Sequence, residues 1–154
     1  MSTKSTDRIE TKILLRVPRD RAWRALTDAR EFGTWFGAKL AGQFAPGATV
    51  KGTITEEGYE GLPFEIVVDR IEPKSRFSWR WHPYAIDPGA DYSSEPPTLV
   101  EWELKEVPEG TLLAVVESGF DKIPAARRAE AHRMHEEGWG AQMKSIERHL
   151  AKAA

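Results

Sequence analysis

From Arg8 to Val17 the chain alternates: Ile9, Thr11, Ile13, Leu15 and Val17 fall on one face, and Arg8, Glu10, Lys12 and Arg16 on the other. That period of two predicts a half-buried strand. Pro18 then stands where a helix begins. Ala22, Trp23, Ala25 and Leu26 supply its apolar face, and Asp28 opens a second short helix through Phe32, Trp35 and Phe36. Between Ala38 and Phe120 the period returns to two. Strands are predicted near Thr49 to Glu56, Pro63 to Ile71, Arg76 to Tyr84, Leu99 to Val107 and Thr111 to Gly119, with a weaker one near Ala38 to Gln43. Turn residues separate them, at Ala45-Pro46-Gly47, Glu57 to Gly61, Pro73 to Ser75 and Pro108-Glu109-Gly110. Links this short imply an antiparallel meander. The link from Ala85 to Pro97 is longer, Pro-rich and acidic, and reads as a lid, an oligomer contact or an extended hairpin.

The last element predicted is one long helix from Pro124 to Ala151. At about 100° per residue, Trp139, Met143, Ile146 and Leu150 share a narrow stripe that continues backwards through His135, His132 and Arg128. A helix that only closed a core would stay apolar, so the polar half is expected to face a space holding water or ligand. One strand, two short helices, six strands and a long helix predict an α+β fold, a curved antiparallel sheet gripping the C-terminal helix. A single domain is expected over residues 8–152, after a short polar tail at residues 1–7.

Face assignment then locates a cavity. Phe77, Trp79 and Trp81 share one face of their strand, and Val100, Trp102 and Leu104 one face of the next. On the last strand, Leu112, Ala114, Val116, Ser118 and Phe120 are assigned inward, with room left at Ala114 and Ser118, whereas Glu117 and Glu65 are assigned outward. Gly138 and Gly140, flanking Trp139, suggest close packing, a bend or room for a neighbour, and close packing is the preferred reading. His82 and His149 fall off these faces and are expected to be solvent-exposed.

Composition narrows the chemistry. A chain of 154 residues, 40% hydrophobic and 30% charged, suits one globular domain. Its 22 basic and 24 acidic residues alternate in sign, which gives no footprint for nucleic acid or an anionic membrane. The absence of cysteine excludes disulfides, thiolate metal sites and a cysteine nucleophile. No signal-peptide core or membrane-length apolar run is present, so a cytoplasmic protein is expected. His132, His135 and Glu136 lie side by side on one straight helix and cannot readily converge on an ion, so no metal is expected. Phosphate-binding glycine loops, nucleophile elbows and zinc-protease helices are absent, and no cofactor is expected. His135 is the strongest acid/base candidate.

The element order, the Trp35-Phe36 pair, the strand Thr98-Leu99-Val100-Glu101-Trp102-Glu103-Leu104, the strand end Glu117-Ser118-Gly119-Phe120 and Glu137-Gly138-Trp139 followed by Met143, Ile146 and Leu150 resemble one known family. It is the activator of Hsp90 ATPase homologue-like family, within the START-like, Bet v 1-like (SRPBCC) helix-grip superfamily. The resemblance implies the helix-grip fold over about Arg8 to Ala151, and among its functions ligand carriage, cyclisation chemistry, co-chaperone action and stress response. The separate N-terminal domain with which eukaryotic co-chaperones engage the chaperone is not found in this sequence. No flavin motif is present, and no thiolate is available for an iron–sulfur cluster.

Three functions remain in play. The leading one is binding of a hydrophobic or aromatic small molecule between sheet and helix, walled by Trp35, Phe36, Trp79, Trp81, Trp102, Phe120 and Trp139, with Arg128, His132 and His135 meeting a polar group or carboxylate at the mouth. The second is a cofactor-independent cyclase or hydrolase in the same cavity, using His135. The third is a protein-interaction domain resembling the Hsp90 activators. Met134 and the Ala85 to Pro97 link are candidate homodimer contacts.

Overall fold

The computed structural model describes residues 7–83, 91–92 and 94–153. Alternation in the sequence becomes seven strands: β1 (Arg8–Leu15), β2 (Ala38–Ala41), β3 (Thr49–Ile54), β4 (Pro63–Glu72), β5 (Arg76–Trp81), β6 (Thr98–Val107) and β7 (Gly110–Ser118). They form one antiparallel sheet in the order β1-β7-β6-β5-β4-β3-β2. The long link from β1 to β2 carries α1 (Arg19–Thr27) and α2 (Ala29–Phe36), and α3 (Ala125–Ala153) closes the chain. The α+β helix-grip architecture expected from the periodicity is the one observed. Of the long link between β5 and β6, residues 84–90 and 93 lie outside the described residues, and so does much of the expected lid or contact.

Local chemistry sets the helix ends. Asp28 caps α2 by accepting from the Glu31 amide at 3.0 Å. Gly37 ends it in the left-handed conformation at φ 91°, its N–H returning to the Gly33 carbonyl. The carbonyls left over at that end are taken up by α3: Gln142 Nε2 donates to Phe36 O at 2.9 Å and Ser145 Oγ to Trp35 O at 2.5 Å. Glu31 adds a second tie, pairing with Arg21 of α1 at 2.5 Å and His149 of α3 at 2.9 Å. The expectation that His149 is solvent-exposed is therefore corrected, because α1, α2 and α3 meet around Glu31. His82 is half-buried too, its Nε2 donating to Glu95 O at 2.9 Å.

The core lies between the concave face of the sheet and the three helices. Phe32, Phe77, Trp79, Trp102 and Phe120 are wholly enclosed there. On α3 the buried residues are Ala131, Trp139, Met143, Ile146 and Leu150, so the stripe seen in the sequence holds from Trp139 onward. Its backward continuation runs through His135 to Ala131 and not to Arg128. Burying aliphatic and aromatic side chains on this scale supplies the main stabilisation of the fold.

One face assignment is reversed. On β7 the buried residues are Thr111, Leu113, Val115 and Glu117, while Leu112, Ala114, Val116 and Ser118 are only half-buried on the other side. Both faces of β7 carry aliphatic residues, so composition alone does not choose between them. The pairing does: Leu104, Trp102 and Val100 stand opposite Leu113, Val115 and Glu117, and directly opposed residues share a face. Phe120 is buried because it lies past the strand, in a short 3-10 turn (Phe120–Lys122).

Close packing at the two α3 glycines is also corrected. A Cβ built on Gly138 or on Gly140 meets nothing within 4 Å beyond the helix's own backbone. Gly140→Ala is accordingly expected to raise the unfolding free energy, by up to about 1 kcal/mol. Chemical denaturation reads this, and a loss of stability would show that the position needs glycine.

Candidate functional site

The reversal of β7 places a carboxylate inside the protein. Glu117, with no solvent exposure, faces α3 from the end of β7. Four donors converge on it: Oε1 accepts from His135 Nδ1 at 2.7 Å and Trp139 Nε1 at 2.9 Å, and Oε2 from Thr98 Oγ1 at 2.5 Å and Trp81 Nε1 at 2.8 Å. His135 and Trp139 reach it from adjacent turns of α3, Trp81 from the end of β5 and Thr98 from the start of β6. A carboxylate offers about four lone-pair sites, and here each has a donor. That satisfaction is what permits a charge so far from water. Burial by itself pushes the Glu117 carboxyl up, but the charge and hydrogen bond of His135 and the hydrogen bonds of Thr98 and Trp81 together outweigh it and hold the group below the ordinary glutamate range.

The same interactions orient an aromatic wall. With their indole N–H groups fixed on Glu117, Trp81 and Trp139 stack at 5.8 Å between centroids and 25° between planes. Trp79 and Trp102 behave differently. Their indole nitrogens are buried without a hydrogen-bond acceptor, and the rings pack edge to face, Trp79 on Phe32 and Trp102 on Trp139.

Beside the stacked pair lies a cavity of about 410 Å³, open to solvent. Helix α3 contributes Met134, His135, Gly138, Trp139 and Gln142 to its lining, α2 contributes Phe36, and the sheet contributes Ile54, Phe64 and Trp81. The turn between β3 and β4 closes one side with Tyr59 and Leu62. Tyr59 is 44% exposed, one of two large apolar side chains left so open among the described residues. Glu56, Glu65 and Glu137 also line it, all three solvent-exposed. The volume suits a drug-sized ligand, for which pockets run from about 300 to 1,000 Å³.

The ten residues expected at the site separate into three groups. Phe36, Trp81, His135 and Trp139 line the cavity. Trp35, Trp79, Trp102 and Phe120 sit within the core behind it, where Trp35 donates from Nε1 to Ala25 O at 2.8 Å. Arg128 and His132 belong to the first turns of α3: Arg128 Nε donates to Ile123 O at 3.1 Å, and His132 packs on Phe120 and donates from Nε2 to Arg8 O at 3.2 Å. Arg128 and His132 are absent from the described lining because the helix turns that side toward β1 and the 3-10 turn. The mouth is therefore acidic where a basic one was expected. A neighbouring arginine has the larger structural part: Arg127 holds Glu95 through Nε and Nη2, donates to Pro83 O at 3.0 Å and lies 4.7 Å from the Tyr92 ring centroid. Among the described residues no group of three or more His, Asp or Glu is placed to hold a metal ion, and no helix is long and apolar enough to cross a membrane.

Sequence reasoning missed Glu117, Glu56, Tyr59, Leu62 and the opening at Gly138. Glu117 had a usable signal. A two-residue turn at Pro108-Glu109 pairs Val107 with Gly110, and counting back from it sets Trp102 against Val115 and so Val100 against Glu117.

A model of the activator of Hsp90 ATPase homolog 1-like protein family matches residues 16–151. The chain belongs to that family. Solved structures agree on the fold of this Hsp90-activator-homologue-like chain. A protein of Mesorhizobium loti superposes with a TM-score of 0.75 at 22% identity, covering 96% of this chain and 98% of the other. A protein of Arthrobacter aurescens gives 0.79 at 15% identity, covering 97% and 90%. DynU16, from the dynemicin biosynthetic locus, gives 0.73 at 27% identity, and the match covers 96% of this chain but 48% of DynU16. Among curated proteins none matches.

Proposed function

We propose that this family member binds a hydrophobic or aromatic small molecule in the cavity between the sheet and α3. The observation that carries the proposal is the stacked Trp81–Trp139 pair, held by a buried carboxylate and lining a cavity of about 410 Å³. Rings oriented by a fixed acceptor present a preorganised wall, which reduces the ordering cost of binding. The similarity to DynU16, a protein of a biosynthetic locus, fits a small-molecule role. Calorimetric titration with 2-naphthalenemethanol is expected to show one saturable site, lost when the cavity is filled in Gly138→Leu. Unchanged binding in that variant would move the ligand elsewhere.

A second reading rests on the Glu117–His135 pair. Because Nδ1 donates to the carboxylate, Nε2 is the acceptor nitrogen of the neutral ring, and a ring oriented by a buried carboxylate has the arrangement a general base requires. A cyclisation or hydrolysis in the cavity would then lose turnover in His135→Gln while naphthyl binding continues.

A further inference from the structure

Four of the rings that line this cavity, Phe36, Phe64, Trp81 and Trp139, form one cluster with neighbouring centroids 5.6 to 6.4 Å apart. Two of them are unusual in a way that bears on ligand charge. The indole N–H of Trp81 and that of Trp139 each end on the buried Glu117 carboxylate. A hydrogen bond to an anion pushes electron density back into the donor ring, so these two π-faces carry more negative charge than an indole facing water or a carbonyl. Ring faces of that kind attract cations, tryptophan most strongly, and more so where water is excluded.

Charge at the mouth has the same sign. Glu56, Glu65 and Glu137 line the opening, and no lysine or arginine is among the described lining residues. The turn that closes the cavity reads Glu56-Glu57-Gly58-Tyr59-Glu60, with three carboxylates and no base. Among the described residues, two cations approach the rim from outside: Lys51 lies 3.7 Å from Glu65, and Arg133 lies 3.7 Å from Glu137. Both pairs are solvent-exposed, where screening makes such contacts weak, and neither cation enters the lining. His135, the titratable base that does line the cavity, is bonded to Glu117, so the pair is neutral or negative in either state of the ring.

We infer that the cavity selects a cation, an ammonium or alkylated ammonium carried on an apolar or aromatic body, over a neutral or anionic ligand of the same shape. The carboxylate ligand that a basic mouth would have favoured is disfavoured by the observed one. This rests on the proposal that the cavity binds small molecules, and the test separates the two. Calorimetry at low salt would compare three probes sharing one ring system: (2-naphthylmethyl)trimethylammonium, 2-naphthalenemethanol and 2-naphthoate. The cation is expected to bind at least tenfold more tightly than the alcohol, with the carboxylate weakest. In Glu56→Gln/Glu137→Gln the ratio of cation to alcohol affinity is expected to fall at least fivefold, whereas Glu109→Gln, on the distant β6–β7 turn, is expected to leave it unchanged. Equal binding of cation and alcohol, or tighter binding of the carboxylate, overturns the charge inference and leaves the cavity proposal standing. Binding of none of the three overturns both. A ratio that persists in the double variant overturns the part assigned to the mouth.

Discussion

Replacing Glu117 by leucine is expected to lower the unfolding free energy by about 3–5 kcal/mol, the usual cost of removing one partner from a buried charged network. At the thermal sensitivity of a domain of this size, that is a fall in Tm of roughly 6–20 °C. The loss comes from what stays behind. Leucine is of similar bulk, but Trp81 Nε1, Trp139 Nε1, Thr98 Oγ1 and His135 Nδ1 would all keep a donor aimed at a site with no acceptor. Glu117→Gln is expected to be milder, since its amide oxygen still accepts, though its NH2 would confront two of the donors. A pH series identifies the charge. Because the folded-state carboxyl is held below its ordinary value of 4.5, its contribution is fully present above that pH and is lost as pH falls through the lower folded value. The stability gap between the wild type and Glu117→Gln should therefore narrow as pH is lowered from about 6 to about 3. Glu31 and Asp69, also held low, lose stability in the same direction, but they are common to both proteins and cancel in the difference. A gap that stays constant through that range would mean that folding does not lower the Glu117 carboxyl, and a gap that widens as pH falls would mean that the carboxyl is held protonated in the folded protein.

What the sequence made legible follows from how each signal is encoded. Period two over seven strands, Asp28 before α2 and the Trp139–Leu150 stripe are local patterns, and each reappears in the structure at the predicted place. The site depended on pairings between distant segments. A glutamate on a strand bearing aliphatic residues on both faces reads as solvated until the register of β6 against β7 is counted, and only then does it meet Trp81 and His135. With Glu117 assigned outward, His135 lacks its acceptor, and Arg128 and His132 are given a share of the mouth that β1 and the 3-10 turn deny them. Tryptophans that share a face are not equivalent either. Depth decides: Trp79 and Trp102 fill the middle of the sheet, while Trp81, at the end of β5, reaches the opening. The role of Glu56 and Tyr59 was the least accessible, because a polar turn carries no periodicity that says what it leans over.

Gly138→Leu is expected to abolish binding of 2-naphthalenemethanol, with at least a tenfold loss of affinity, while the protein stays as stable as the wild type or becomes slightly more so. Space around this residue is open, since an added Cβ meets nothing within 4 Å apart from the helix itself, and the residue belongs to the cavity lining. A leucine on a helix leans back over the preceding turn, which here carries Met134 and His135, and so covers the cavity floor. Replacing glycine also removes a helix penalty of about 1 kcal/mol, which offsets the exposure of a new apolar side chain. Trp139→Ala cannot make the same distinction. It removes a wall of the cavity together with a donor to Glu117 and a large buried ring, and a loss of about 3–5 kcal/mol would confound binding with folding. Filling the space from Gly138 closes the cavity while keeping all four donors to Glu117. If the naphthyl probe binds Gly138→Leu as tightly as the wild type, the ligand does not occupy this cavity, and the stacked tryptophans are a structural consequence of burying Glu117.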